Sequence, residues 1–107
     1  MEESNYIVLF MTTGTGEEAQ GIAELLLNQR KVACVNIVPR VDSRFWWEDK
    51  LDSAQENLLV AKTKASLLSE IIDIIKKAHS YDVPEIIALP IVGGNQDYLE
   101  WIEKSVA

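Results

Sequence analysis

The sequence predicts an α+β fold, one antiparallel sheet with helices laid across it. Four apolar runs rich in β-branched and aromatic residues are spread along the 107 residues, and two stretches with apolar residues every three or four positions fall between them. Gly, Pro and Asn punctuate the junctions that follow the first strand and enclose the last. A chain of this length needs a single domain, residues 1–107, and can bury a core without disulfide or metal staples.

The first run, Tyr6 to Met11, reads as a buried strand, and Thr12-Thr13-Gly14-Thr15-Gly16 as the turn that ends it. Ala19, Ile22, Ala23 and Leu26 keep helical spacing, with Thr15 and Glu18 at the separation of a capping box. Arg30 and Lys31 suit the C-terminus of that helix. A long hairpin is expected over Ala33–Thr63, from two β segments, Ala33–Val38 and Leu58–Ala61, and a polar turn at Glu48-Asp49-Lys50. Ser66 to Ala78 fits a second helix, with Leu67, Leu68, Ile71, Ile75 and Ala78 on one stripe and Ser66 as N-cap. That helix should end near His79-Ser80, because Pro84 disfavours helix at Val83. Glu85 to Val92 is a further apolar strand whose Pro90 requires a bulge or a sheet edge. Asn95 or Asp97 then caps a last short helix holding Tyr98, Leu99, Trp101 and Ile102.

The order is βαββαβ plus a terminal helix, the split βαβ arrangement of ferredoxin-like domains. Unbroken apolar strand runs mark strands covered on both faces, whereas two helices cover only one. The second face is therefore expected to be buried by partner subunits. Phe45-Trp46-Trp47 adds to this, since adjacent strand residues point to opposite faces and both tryptophans cannot enter one core. Burying one Trp yields at most roughly 4–6 kcal/mol. Association costs as much or more, so whole sheet faces must join Phe45, Trp46 and Trp101 to hold an obligate homo-oligomer.

Seventeen acidic against ten basic residues give a net charge of −7, which argues against nucleic acid or an anionic membrane as partner. The lone Cys34 can form no internal disulfide, no basic and apolar signal sequence opens the chain, and no apolar run nears bilayer length. A cytoplasmic location is the expectation. Gly14-Thr15-Gly16-Glu17-Glu18-Ala19 fits G-x-G-x-x-A between strand and helix. Glu17 and Glu18 would repel a pyrophosphate there, so the glycines read as turn formers and no organic cofactor is expected. No Ser-His-Asp or Cys-His set is evident, and the chain reads as no enzyme.

The chain carries, in order and at natural spacing, Ala33-Cys34-Val35-Asn36-Ile37-Val38-Pro39, Trp47-Glu48 before Lys50, Glu56, Lys62-Thr63, His79-x-Tyr81-x-x-Pro84-Glu85-Ile86-Ile87-Ala88-Leu89-Pro90, and Gly94-Asn95 before Tyr98-Leu99-x-Trp101. Together these strings closely resemble the CutA divalent-cation-tolerance family. The resemblance implies a ferredoxin-like homotrimer whose long hairpins wrap neighbouring subunits, an architecture similar to the PII signalling proteins, and a role in tolerance of copper and other divalent cations. Asp49 stands where such proteins often carry Gly, and Ser80 where Pro often follows the His. Met11 and Ala78 stand where relatives can hold Cys and a second His, which weakens any tight metal site here.

His79 is the one histidine, read either as a ligand of a divalent cation such as copper or as a capping and loop-packing residue. Asp82 and Glu85 lie near enough in sequence to complete a weak, oxygen-rich metal site. Trp46, Trp47, Tyr81 and Trp101 are the candidate cleft or interface residues, together with Glu56 and Lys62, which face each other or a neighbour's cleft. Two functions follow: a trimer that binds metal or a small ligand at its clefts, or a PII-like scaffold docking a protein partner with only an indirect link to metals.

Overall fold

The computed structural model describes residues 5–107. Its sheet is built on β1, Tyr6–Thr13, which lies between two antiparallel neighbours. The helix α1, Gly16–Asn28, follows, then β2, Cys34–Trp47, and β3, Lys50–Lys64. A 3-10 turn over Ala65–Leu67 leads into α2, Leu68–Ala78, and the chain closes with β4, Ile86–Pro90, and α3, Gln96–Ser105. The strand order is β2-β3-β1-β4, all antiparallel, which is the ferredoxin-like topology the element order implied.

Local chemistry explains most boundaries. Thr15 caps α1 by accepting from Glu18 N–H, while the Glu18 carboxylate reaches back to Gly14 N–H rather than to the cap residue itself. The helix ends in a Schellman motif: Lys31 N–H reaches Leu26 C=O, Arg30 N–H reaches Leu27 C=O, and Arg30 takes the left-handed position at φ 58°. Asn95 caps α3 through its side-chain oxygen and Asp97 N–H. Ser66 caps nothing. It lies within the 3-10 turn, where its backbone is already wound, and Leu67 occupies the N-cap of α2 without a side-chain bond.

The hairpin is longer than the two apolar segments suggested, with pairing continuing out to Trp47 and Lys50. Lys50 belongs to β3, and the turn is Glu48-Asp49 alone, both left-handed at φ 49° and 64°, as a two-residue type I′ turn demands. One irregularity interrupts the ladder between Val38 and Val41, at Pro39 and Arg40. Pro39 has no N–H to give a ladder, and Arg40 takes φ 60°. The last strand is also shorter than expected, Ile86–Pro90 instead of Glu85–Val92, though Ile91 N–H still bonds Tyr6 C=O. Pro90 sits at the end of an edge strand, where its missing donor costs no ladder bond.

The two sheet faces differ. Ile7, Leu9, Met11, Leu59 and Ala61 are buried against Ile22, Leu26, Ile71 and Ile75 of α1 and α2. The strands therefore alternate in burial within the protomer even though their sequences do not alternate in polarity. Val8, Phe10, Leu58 and Val60 share the opposite face and are only half-buried, while Val38, Ile87 and Leu89 on that face are exposed. The helix α3 covers one end of this face, where Glu103 pairs with Lys64 and Tyr98 meets Cys34.

Candidate functional site

A cavity of about 650 Å³ opens where the hairpin leaves the sheet and the loop after α2 crosses in front of it. Register places Ser43, Phe45, Trp47, Asp52 and Glu56 on one face of the hairpin, and all five line the cavity. The loop supplies Tyr81, Asp82, Val83 and Glu85, and Thr12 and Arg44 complete the wall.

A hydrogen-bonded latch holds the loop in place. His79 Nε2 donates to the Thr12 carbonyl at 2.7 Å, and Tyr81 N–H donates to His79 Nδ1 at 3.0 Å. A carbonyl only accepts and an N–H only donates, so the imidazole is held as the neutral Nε2–H tautomer with both nitrogens engaged. Its side chain is almost wholly buried. Glu18 accepts from Ser80 N–H at 2.7 Å and from Gly14 N–H, tying the same loop to the start of α1. Burial pushes the Glu18 carboxyl up, but its hydrogen bonds from Ser80 and Gly14 outweigh that and leave it below its ordinary value.

Tyr81 is the loop's contact with the sheet. Its hydroxyl donates to Glu56 Oε2 at 2.9 Å, and its ring tilts against His79 with centroids 4.8 Å apart. Burial, and then the bond to Glu56, push its pKa up to about 12. Gly14 is a close approach, since a Cβ there would stand 3.2 Å from the Tyr81 hydroxyl. The turn is shorter than the Thr12–Gly16 segment expected: only Gly14 and Thr15 lie between β1 and α1, and neither Gly14 nor Gly16 takes a positive φ.

The expected cleft residues divide. Trp47, Glu56 and Tyr81 line the cavity. Trp46 alternates to the hairpin's other face and is 71% exposed, while Trp47 is 51% exposed, so neither tryptophan enters the protomer core. Glu56 and Lys62 do not face each other: six residues apart on β3, they bond Tyr81 and Asn36 respectively. Trp101 lies on α3 against Tyr98, away from the cavity. Thr12, Ser43, Arg44, Phe45, Asp52 and Val83 also line the cavity without having been assigned to the site from the sequence, although the period-two spacing of Ser43, Phe45 and Asp52 with Trp47 and Glu56 was an available signal.

Residues 7–105 match the family model of the CutA1 divalent ion tolerance protein. This chain belongs to that family. It is 46% identical over 99 residues to the chloroplastic CutA 1 protein of Oryza sativa subsp. japonica, covering 92% of this chain and 56% of that one. The divalent-cation tolerance protein CutA of Archaeoglobus fulgidus is 41% identical, with 92% of this chain and 95% of that one covered. The crystal structure of CutA1 from Oryza sativa superposes with a TM-score of 0.94 at 43% identity, covering 98% and 96% of the two chains. The chain thus spans little more than half the length of the full rice relative.

The CutA1 family description sets a test for the metal expected at His79, Asp82 and Glu85, and these residues do not fit it within one protomer. Both His79 nitrogens are committed to Thr12 and Tyr81, and among the described residues no group of three or more His, Cys, Asp or Glu side chains is gathered to hold an ion. Asp82 and Glu85 instead line the cavity with Glu56 and Asp52.

Proposed function

We propose that this CutA1-family chain acts as a non-catalytic homotrimer in tolerance of divalent cations, copper included, with the cavities beside its hairpins serving as inter-subunit ligand sites. The observation that carries the reading is the sheet face left open by α1 and α2, where Val8, Phe10, Leu58, Val60, Ile87 and Leu89 form a continuous apolar surface. A protomer with such a surface gains by pairing it with copies of itself. Trp46 and Leu51, exposed on the far side of the hairpin, extend the apolar area that neighbours would cover. A cytoplasmic location belongs to the same proposal; among the described residues no helix is long and apolar enough to cross a membrane.

A second reading, an indirect metal role as a PII-like signalling or docking scaffold, is favoured by one observation: the committed nitrogens of His79. Light scattering after size exclusion tests the assembly, with three chains per particle expected and a stable monomer as the contrary result. Titration calorimetry with copper and zinc separates the two readings. Saturable binding near one ion per chain supports direct binding, and weak unsaturable uptake supports the indirect role.

A further inference from the structure

Glu56 is a nearly buried carboxylate with little to accommodate it. It is 7% exposed and lines the cavity, yet its one bond is the Tyr81 hydroxyl on Oε2. Among the described residues its Oε1 accepts no hydrogen bond and no cation pairs with it. That oxygen still touches the cavity, because no buried side-chain oxygen is left without a partner. A carboxylate this far out of water with half its acceptor capacity unused is costly unless something positive faces it.

Three aromatic rings, Phe45, Trp47 and Tyr81, line the same cavity. Their faces are electron-rich and attract cations, most strongly where water is excluded. Four carboxylates, Asp52, Glu56, Asp82 and Glu85, stand against one cation, Arg44. Those carboxylates do not converge on a point as a metal ion requires; among the described residues no three potential ligands do. A space of about 650 Å³ is also far larger than an ion and within the range of small-molecule sites. Dispersed negative charge around an aromatic box matches a ligand that carries its own apolar body and a single positive charge.

We propose that this cavity binds a small organic cation, a protonated amine with an apolar or aromatic body, its charged end at Glu56 and its body between Trp47 and Tyr81. The net charge of −7 favours the approach of such a ligand. The proposal deepens the cleft reading above by naming a ligand class, and needs neither direct metal binding nor a particular number of subunits.

The test is calorimetry on the full chain with phenethylamine, protonated at pH 7, against 2-phenylethanol, a neutral molecule of nearly the same shape. The amine is expected to saturate and to bind roughly ten-fold or more tightly than the alcohol. Glu56→Gln, which keeps the side-chain shape, should abolish that preference, and Asp52→Asn should reduce it in a residue too exposed to endanger folding. Trp47→Leu should weaken amine binding, while Trp46→Leu, on the other hairpin face, should leave it unchanged. Equal affinity for the alcohol, no saturation by the amine at millimolar concentration, an unchanged preference in both carboxylate variants, or one-for-one displacement by zinc would each overturn the proposal. Light scattering on the same samples reports the assembly separately, so a monomer that still prefers the amine would overturn only the trimer.

Discussion

The two faces of the sheet carry similar residues and meet different fates. Leu9, Met11 and Leu59 on one face are sealed by α1 and α2, whereas Val8, Phe10 and Val60, one residue along the same strands, remain half-buried, with Ile87 and Leu89 beside them about half exposed. Apolarity in a strand therefore reports that a surface is meant to be covered, and not by what. The sealed face makes the protomer a folding unit, and the open face is the one on which the proposed assembly depends.

Substitutions on the two faces should separate these roles. Leu59→Ala, in the sealed face, removes fully buried methyl groups and leaves a cavity, with an expected loss of about 3 kcal/mol in urea unfolding. Ile87→Glu combined with Leu89→Glu alters side chains 51% and 47% exposed in the protomer. The double variant should keep its far-ultraviolet circular dichroism and lose its assembly in light scattering. If instead it unfolds while remaining a trimer, or stays assembled and stable, the distinction between the faces fails.

How much of this was legible in the sequence depends on whether the information was local. Helix spacing at Ile22, Ala23 and Leu26 and the Thr15 cap depend on neighbours a few residues away and were readable, whereas Asn95 was one of two possible caps beside Asp97, and Pro90 was open between a bulge and an edge. Alternation also showed that Trp46 and Trp47 face opposite ways, but not which way. The irregularity at Pro39-Arg40 lets three steps on β2, Val38 to Val41, match two on β3, Leu58 to Glu56. That one extra residue reverses the parity of everything beyond it, so Trp47 and not Trp46 joins Glu56 at the cavity. The cavity itself joins Thr12, Trp47, Glu56 and Tyr81, which only the tertiary fold brings together. His79 was likewise legible as a loop residue but not as one whose two nitrogens are spoken for, because one partner, Thr12, lies 67 residues away.

The loop that carries His79 and Tyr81 is where the sealed part of the molecule meets the open cavity, and Tyr81→Phe probes that junction. Removing the hydroxyl leaves the buried Glu56 carboxylate without a donor, at a cost of about 1–2 kcal/mol in urea unfolding near neutral pH. The pH dependence has a definite sign. The Tyr81 pKa is raised from its ordinary 10.0 to about 12, so the contribution is complete below pH 10 and is lost as pH rises through 12. The difference between the two proteins should shrink over that window, and a Tyr81 phenol that ionises near 10 by ultraviolet absorbance would sink the account.

Glu18→Gln tests the other end of the same latch and should have the smallest effect. The carboxylate accepts from Ser80 and Gly14, and a neutral amide can accept only through its one oxygen, so about 1 kcal/mol is expected at pH 7. Here the sign runs the opposite way. The Glu18 pKa lies below its ordinary 4.5, so its stabilisation is present above pH 4.5 and disappears as pH falls through the folded-state value. Wild type and variant should therefore converge in urea midpoint on acidification and stay apart at neutrality. A gap that does not narrow at all on acidification below pH 4.5 would mean that Glu18 supports the loop through shape rather than charge.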